Sequence, residues 1–316
     1  MKNKKIVILG TGGTIAGTAS EVGDNLGYTA AQLGIEQLVA ALPRQGDLPF
    51  THVTEQVAQL DSKDMDFGVW GQLASRVTHW LGQSDVQGIV ITHGTDTLEE
   101  TAWFLQTLLN PEKPVVLTCA MRPATALTPD GPQNMVDAIA VARHVGARGV
   151  MVVCAGFIHG AQDVQKVHTY RLDAFASGDA GPLGYVEEGR LRLVRGWPLG
   201  VDQAGRTPVN IGKLTDAASW PRVEIIMSHV GAGAAMVEAL VADGVNGLVV
   251  AGTGNGTLHH ALESALLHAQ IKGVRIVRST RCLNGRVIPG ACDVLPDSQG
   301  LSPVKTRVSL LLSLMG

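Results

Sequence analysis

Four short runs of almost uninterrupted hydrophobic residues constrain the fold of this chain more than any other feature of its sequence. They are "KIVILG" (residues 5–10), "GIVIT" (88–92), "PVVLTC" (114–119) and "GVMVVC" (149–154). Strands of a parallel sheet are covered on both faces and therefore read as continuous apolar runs. Because segments of helical periodicity lie between these runs, we predict parallel strands joined by helices, as in an α/β protein.

Two of the intervening segments carry clear helix signals. The segment "TLEETAWFLQTLL" begins at Thr97, and Glu100 follows three residues later, which predicts a capping box at the start of this helix. The segment "DGPQNMVDAIAVARHV" places Pro132 where a first helical turn accepts proline. Both helices would cover the predicted sheet.

The domain organisation follows from length and periodicity. A chain of 316 residues exceeds the usual size of one domain. Regular periodicity weakens across residues 196–220, and βα units resume beyond it with "VEIIMSHV", "GLVVAG" and "VRIVRST". We predict a larger N-terminal catalytic domain (1–195) with a mainly parallel sheet flanked by helices, a linker (196–220) and a smaller C-terminal α/β domain (221–316).

Charge and hydropathy exclude several classes of partner. The net charge is −3, with no basic run beyond the first five residues, so we expect no nucleic-acid partner. No stretch approaches the ~18–20 apolar residues of a membrane span, so we expect no membrane partner. The apolar run near the N-terminus is shorter than the ~7–15 residues of a secretory signal. We therefore read this end as mature protein and expect a cytoplasmic location.

The cysteines and the ten histidines show no metal-binding pattern. We predict buried thiols at the four cysteines because no CxxC spacing is present, while Cys282 and Cys292, ten residues apart, could still meet. We interpret the histidines as structural, including His93, which we expect to affect local packing near a site rather than to act as a base. The four cysteines are Cys119, Cys154, Cys282 and Cys292.

The first predicted strand ends in a turn rich in glycine and threonine, "IVILGTGGTIAGT" (residues 6–18). A dinucleotide-binding turn would need a third glycine where Ile15 stands, followed by a helix, but the next residues are polar and glycine-rich. A Walker loop would need a Gly-Lys-Ser/Thr sequence, which is missing. The stretch is therefore a mobile loop that presents hydroxyl groups, Thr14 among them.

A second polar cluster, "ITHGTDTLEET" (residues 91–101), follows the next buried strand. Thr95 and Asp96 lie where backbone N–H groups at a helix start suit an anion or a developing oxyanion. Taken singly, each threonine could be a turn residue and Asp96 a helix-start residue. A catalytic hydroxyl needs an activating partner, so the two clusters must be read together.

Together, "TGGTIAG" and "HGTDT" resemble the bacterial L-asparaginase family, which hydrolyses asparagine to aspartate and ammonia. Further matching motifs occur in family order across nearly the whole chain. They are "YT" at Tyr28, "DSKDM" at Ser62, "CAMRP" at Cys119, "DGPQN" at Asp130, "QDVQK" at Lys166, "GPLGY" at Gly181, "GTGNG" at Asn255 and "VRSTR" at Arg278.

The resemblance implies a role for each matching residue. Thr14 would be the nucleophile on a mobile flap, with Tyr28 beside its hydroxyl. Thr95, Asp96 and Lys166 would form a second set, in which Lys166 pairs with Asp96 and Thr95 positions or activates water. Amide hydrolysis of this kind passes through an acyl-enzyme and requires neither a metal nor an organic cofactor.

The resemblance also implies the substrate contacts. Ser62 would hold the α-carboxylate of the substrate, and Asp96, with Thr95 beside it, the α-ammonium. The carbonyl of Ala120 would accept from the side-chain amide. A neighbouring subunit would complete the site through Asn255, in homotetramers built as dimers of dimers.

Two departures from the family concern the α-ammonium. Extracellular members have glutamine at the substrate-binding position occupied by Lys63, and a cation there would repel the ammonium unless it points away. Where those members supply a glutamate from the partner subunit, this chain offers Asp293. We therefore expect an asparaginase with weak or absent glutaminase activity.

Two other functions remain open. The amidase subunit of a tRNA-dependent amidotransferase shares these loops but normally carries an extra N-terminal domain. A non-catalytic amino-acid sensor would keep the pocket, although a pure binder has no need of a hydroxyl pair with a lysine. A dinucleotide-binding protein is the least consistent with the first turn.

Overall fold

The structure, a computed structural model, describes residues 4–42, 50–198, 209–291 and 293–316. The chain divides into two compact units, Met1–Asp202 and Gln203–Gly316. Part of the predicted linker, residues 199–208, lies outside the described residues. The remainder includes two short 3₁₀ helices, Ile211–Thr215 and Ala217–Ser219.

An eight-stranded sheet forms the centre of the first unit. Five of its strands are parallel, in the spatial order β2-β1-β3-β4-β5, and three antiparallel strands extend the β5 side as β6, β9 and β10. A two-stranded hairpin of β7 and β8 lies outside this sheet. The strands are β1 Lys4–Gly12, β2 Phe50–Leu60, β3 Val86–Thr92, β4 Pro114–Thr118, β5 Gly149–Cys154, β6 Phe157–Gly160, β7 Gln165–Lys166, β8 Phe175–Ala176, β9 Gly184–Glu187 and β10 Arg190–Leu193.

The four apolar runs read from the sequence are β1, β3, β4 and β5. Their hydrophobic side chains are fully buried because helices cover both faces of the sheet. The helices of this unit are α1 Ile35–Ala40, α2 Phe67–Leu81, α3 Leu98–Leu109 and α4 Gly131–Arg143. The expected mainly parallel sheet flanked by helices is confirmed.

The predicted helices α3 and α4 are present, but the predicted capping box of α3 is wrong. Thr97 is the N-cap residue of α3, yet its side chain caps no backbone N–H group. Its hydroxyl donates instead to the carbonyl of Ser62 at 2.8 Å. The helix start is therefore tied to another loop of the chain, which local sequence does not reveal.

Sequence patterns missed several elements at the edges of the sheet. Strand β2 is mostly polar and lies at the edge of the sheet, and the short strands β6, β9 and β10 pair antiparallel. Helix α2 buries Trp70 and Leu73 but was not predicted. These elements depend on tertiary pairing more than on a strong local pattern.

The second unit is a smaller α/β domain, as expected. Its three parallel strands have the spatial order β11-β12-β13. The elements are β11 Val223–Met227, α5 Ala235–Ala242, β12 Gly247–Gly252, α6 His260–Ile271, β13 Arg275–Thr280 and α7 Pro303–Met315. A buried cluster including Val237, Leu248 and Leu266 forms a core of its own.

The cysteines only partly match the prediction of buried thiols. Cys119 and Cys154 are buried and unbridged, at the ends of neighbouring strands, whereas Cys282 is exposed. Cys292 lies outside the described residues. The expectation that Cys282 is a buried thiol is therefore wrong, because its loop lies at the surface of its domain.

Candidate active site

The loop after β1 packs against the loop after β3 with no room for side chains. Gly12 and Gly13 have φ angles of +99° and +84°, which favour glycine. A Cβ on Gly13 would lie 2.4 Å from the Cα of Gly94. A one-turn 3₁₀ helix, Thr14–Ala16, follows, and no long helix begins there. The glycines thus serve a close approach of two loops rather than a phosphate-binding turn.

Two threonines of the first loop use their hydroxyls differently. Thr11 donates to the carbonyl of Thr92 at 2.9 Å, a structural role. The Oγ1 atom of Thr14 lies 2.7 Å from the Tyr28 hydroxyl, and Thr14 is 8% exposed. Only Thr14 therefore pairs with a second hydroxyl that can exchange a proton with it.

Residues 17–29 form a flap that follows Thr14 and includes Tyr28. Thr18 and Thr29 pair at its base. The flap is also fastened to the loop after β4, because the N–H of Ala19 donates to the Thr125 hydroxyl at 2.9 Å. Tyr28 thus reaches Thr14 from a segment whose base and side are both tied to the protein.

The second cluster is organised around Lys166 on β7. Its Nζ atom donates to the Thr95 hydroxyl at 2.8 Å and to Asp96 Oδ1 at 2.6 Å. The lysine side chain is 20% exposed and the Asp96 side chain 52%. Glu99, in the first turn of α3, accepts from the backbone N–H of Lys166 at 3.3 Å. The lysine is therefore held at its backbone by α3 and at its ammonium group by the loop that precedes α3.

Ser62 connects this cluster to the loop after β2. Its Oγ atom accepts from the backbone N–H of Asp96 at 3.2 Å. The N–H at this helix start is thus already in use, and the carboxylate of Asp96 faces Lys166 instead of capping the helix. The simple helix-start interpretation of Asp96 therefore does not describe its side chain.

His93 is fully buried beneath this loop and is neutral. Trp70 Nε1–H donates to the Thr101 hydroxyl at 2.9 Å, and this hydroxyl lies 3.0 Å from His93 Nε2. Since an indole can only donate, the Thr101 hydroxyl accepts from Trp70 and donates its own hydrogen bond to His93 Nε2. The other ring nitrogen of His93 therefore carries the hydrogen, and Nδ1–H donates to the Gly94 carbonyl at 2.8 Å. Burial lowers the pKa of His93 to about 4.

Six of the predicted residues line one cavity of about 270 Å³. The flap, the loop after β2, the loop after β3 and the β7–β8 hairpin each contribute, at the carboxyl ends of parallel strands where sites of α/β proteins collect. The predicted lining residues are Thr14, Tyr28, Ser62, Thr95, Asp96 and Lys166.

Three other predicted residues lie outside this lining. Lys63 is exposed and pairs with Asp64, which raises the pKa of Lys63. Ala120 is buried beside Met121, a lining residue. Asn255 belongs to the second unit, where its side chain exchanges two hydrogen bonds with the backbone of Ile288 at 2.9 and 2.8 Å.

Sequence reasoning missed six further lining residues. Most adjoin predicted ones: Asp61 precedes Ser62, and the segment after Lys166 reaches the cavity as a loop between β7 and β8. Adjacency in sequence could have suggested them, but which side chain faces the cavity depends on the turn. They are Asn25, Leu26, Asp61, Met121, Thr169 and Tyr170.

Two other kinds of site are absent from the described ranges. Among these residues, no group of three or more histidine, cysteine, aspartate or glutamate side chains is arranged to hold a metal ion. None of the helices in the same ranges is long and apolar enough to cross a bilayer.

Comparisons with known proteins agree with this geometry. Residues 5–198 match the family model "Asparaginase, N-terminal", and residues 222–315 match "Glutaminase/Asparaginase C-terminal domain". The chain is 38% identical to L-asparaginase 2 of Bacillus subtilis over 98% of this chain and 82% of that protein. It is 35% identical to a glutaminase-asparaginase of Pseudomonas fluorescens, with 99% and 87% covered.

A solved structure has the same fold. The probable cytoplasmic L-asparaginase from Campylobacter jejuni superposes with a TM-score of 0.88 at 38% identity, over 98% of this chain and 95% of that one. The fold, the site and these relatives together define an enzyme, an amidohydrolase that acts on a side-chain carboxamide. More narrowly, the chain belongs to the asparaginase family, and the resemblance read from its motifs is confirmed.

Proposed function

We propose that this chain is an L-asparaginase, which hydrolyses L-asparagine to L-aspartate and ammonia through a threonine acyl-enzyme. One observation carries the proposal: two hydroxyls, Thr14 and Thr95, each with a proton-exchanging partner, line the same small polar cavity. Its volume of about 270 Å³ is near the lower limit of ~300–1,000 Å³ for small-molecule sites and suits a free amino acid.

In the first half-reaction, Thr14 Oγ1 attacks the carbonyl carbon of the substrate carboxamide. The Tyr28 hydroxyl, 2.7 Å away, is the group through which the threonine proton leaves. The tetrahedral intermediate then collapses, the C–N bond breaks, and the nitrogen takes a proton and departs as ammonia. An aspartyl ester on Thr14 remains.

In the second half-reaction, water hydrolyses this ester. Lys166 Nζ donates to Thr95 Oγ1, so the single proton of the Thr95 hydroxyl is directed to another acceptor, such as a water in the cavity. Asp96 holds the ammonium of Lys166 in place. Water adds to the ester carbonyl, a proton of this water passes to Thr14 Oγ1 as the C–O bond to Thr14 breaks, and aspartate is released with the Thr14 hydroxyl restored.

The charged ends of the substrate match the charges of the lining. We propose that Asp96, with Thr95 beside it, binds the α-ammonium of the substrate and that Ser62 binds its α-carboxylate. Asp61 adds a second carboxylate to the lining, which favours a cationic group nearby. The Ala120 carbonyl accepts from the carboxamide, and Lys63 affects the α-ammonium only from outside the cavity.

We propose that L-glutamine is a poor substrate. Lys63 is paired with Asp64 and lines no part of the cavity, so it cannot replace a glutamine side chain there. Asp293 is bound by Arg278 in the second unit, and this pairing lowers the pKa of Asp293. Neither residue is therefore free to orient a longer substrate by its α-ammonium.

The family resemblance extends to assembly and location. We propose a homotetramer built as a dimer of dimers, in which the C-terminal domain (221–316) of one subunit completes the site of its neighbour through Asn255. The catalytic groups belong to residues 1–195, and residues 196–220 serve as the linker. We propose a cytoplasmic location, as the name of the Campylobacter jejuni relative indicates for that protein.

The test is ammonia release from L-asparagine and L-glutamine in parallel by wild type, Thr14→Ala and Thr14→Ser. We expect turnover of asparagine by wild type, a loss of at least about 10³-fold in Thr14→Ala, and partial activity in Thr14→Ser, which keeps a hydroxyl. Thr18→Ala, which removes another hydroxyl of the same flap region, is the matched control and should retain wild-type turnover.

Other outcomes would contradict parts of the proposal. Comparable turnover of both amides would overturn the expected weak glutaminase activity. Asparagine binding without turnover by folded wild type would favour an amino-acid sensor. Activity only on an aminoacylated tRNA with a partner subunit would favour the amidotransferase function.

A further inference from the structure

The turn after β4, residues 119–122, is held by a carboxylate that has no assigned function. Asp130, just before α4, accepts from two consecutive backbone N–H groups of this turn. Its Oδ2 atom lies 3.0 Å from the nitrogen of Met121, and its Oδ1 atom lies 3.0 Å from the nitrogen of Arg122. Both oxygens of one side chain therefore fix the orientation of two adjacent peptide groups.

Asn134, one helical turn further along α4, binds both the same turn and Asp130. Its Nδ2 group donates to the Cys119 carbonyl at 2.9 Å and to Asp130 Oδ2 at 3.2 Å. Its Oδ1 atom accepts from the N–H of Ala155 at 2.9 Å. Asn134 is only 3% exposed, so these hydrogen bonds are shielded from water. The start of α4 thus holds the turn rigidly.

The orientation of the Ala120 carbonyl follows from the Asp130 contact. The carbonyl of Ala120 and the N–H of Met121 belong to one planar trans peptide and point in opposite directions. Since this N–H points to Asp130, the carbonyl oxygen points away from Asp130. Met121 lines the cavity, so the peptide lies at the cavity wall.

The Ala120 oxygen lacks a donor of its own. Within the described residues, no hydrogen bond ends on this oxygen, although Ala120 is only 1% exposed. Buried carbonyls are nearly always paired, so an unpaired one at a cavity wall is suited to receive a donor from a ligand. A carboxamide offers such an N–H donor.

We propose that Asp130, supported by Asn134, is a positioning residue that orients the Ala120 carbonyl towards the carboxamide nitrogen of the substrate. This inference rests on the proposed function. It makes the turn after β4 a determinant of specificity for amides, because the N–H donor that the carbonyl requires is present in a carboxamide and absent from an ester.

The experiment compares two substrates that differ in this donor. L-asparagine carries N–H groups on its reacting carbonyl, whereas the β-methyl ester of L-aspartate has none. In Asp130→Asn, an NH₂ group replaces one carboxylate oxygen, so one of the two consecutive backbone N–H groups loses its acceptor and the turn should lose part of its fixed orientation. Steady-state kcat and KM are measured for both substrates in wild type and variant.

We expect Asp130→Asn to lower kcat/KM for L-asparagine by about threefold to tenfold, the factor for loss of one neutral hydrogen bond. Activity on the ester should change by less than about threefold. Gln133→Ala, at an exposed position on the same helix turn, should leave the ratio of amide to ester activity at the wild-type value.

A second variant guards against failure to fold. Asp130→Glu keeps two acceptor oxygens on a longer side chain and should recover part of the amide-to-ester ratio. Equal losses on both substrates, or an unchanged ratio in a folded variant, would show a merely structural role and overturn the inference. Wild type that is inactive on both substrates would instead overturn the proposed function.

Discussion

Thr11 and Thr14 are three residues apart, yet only Thr14 has a partner suited to proton transfer. Thr11 is bound to a backbone carbonyl of β3, which has no proton to exchange. Thr14 is bound to the Tyr28 hydroxyl, which can both donate and accept. Two threonines of the same loop therefore differ in their capacity for proton transfer, because the fold places a different partner beside each hydroxyl.

The same logic gives a prediction for Lys166. The change Lys166→Met removes the donor to both Thr95 and Asp96 while keeping an unbranched side chain. We expect kcat for L-asparagine to fall by about 10²–10⁴-fold, the usual contribution of a positioned acid or base. Lys113→Met, which removes a lysine bound to two backbone carbonyls elsewhere, should leave kcat near wild type. Equal losses in both variants would contradict a catalytic role.

His93 gives a prediction about pH and stability. Its pKa is about 4 in the folded protein and 6.5 in the unfolded chain. As pH falls below 6.5, the unfolded chain binds a proton at this residue, whereas the folded protein does not bind it until about pH 4. The free energy of unfolding therefore decreases between these two pH values. The maximal loss from this residue is about 3 kcal/mol.

The measurement is urea unfolding at pH 7 and pH 5 for wild type and His93→Gln. The decrease in unfolding free energy between the two pH values should be smaller in His93→Gln, because glutamine does not titrate. His79→Gln, at an exposed position, should keep the wild-type decrease. Identical pH dependence in all three proteins would refute the assignment of this effect to His93.

At the scale of elements, helix α3 organises the site from its first two turns. Thr97 binds the loop after β2, Glu99 binds the backbone of Lys166, and Thr101 binds His93. These side chains point in different directions from one short helix, so they connect three separate loops. Burial of the helix against the sheet therefore also fixes the relative positions of groups that come from distant parts of the sequence.

The flap gives a prediction at this scale. Thr125→Val keeps the shape of the side chain but removes the hydroxyl that accepts from the N–H of Ala19. Loss of about 1 kcal/mol should increase opening of the flap about fivefold. Hydrogen exchange of amides in residues 17–29 should accelerate by that factor, and KM for L-asparagine should rise.

Thr51→Val, an exposed change on β2, is the control for this measurement. It should alter neither flap exchange nor KM. Accelerated exchange throughout the first unit in Thr125→Val would show general destabilisation instead of flap opening. In that case the Ala19–Thr125 hydrogen bond would not be a specific latch.

At the scale of the whole molecule, the proposed tetramer makes activity dependent on assembly. Sedimentation should give four times the mass of one chain at micromolar concentration. Asn255→Ala should lower kcat/KM by about 10-fold, as loss of one contact to a charged substrate would, with the sedimentation coefficient unchanged. A fully active monomer would contradict the proposal that a neighbouring subunit completes the site.

The sequence alone permitted prediction of the fold class and most of the candidate site. Apolar runs identified β1, β3, β4 and β5 because full burial in a parallel sheet leaves a strong local pattern. Edge strands such as β2 and β10 leave a weaker one, since only part of their surface is buried. The capping box at Thr97 failed because a hydroxyl chooses its acceptor from all nearby groups, including those remote in sequence.

The candidate residues Thr14, Tyr28, Thr95, Asp96 and Lys166 could be named from the sequence alone, because ordered motifs identify a family and the chemistry that it implies. The tertiary structure alone decided which groups point into the cavity. It placed Lys63 outside the lining and Asp130 behind the Ala120 peptide. The direction in which a side chain points depends on contacts between segments far apart in the chain. The physical reason is that local sequence sets only the conformational preference of a segment. Packing and hydrogen bonding then select among the conformations that the segment allows.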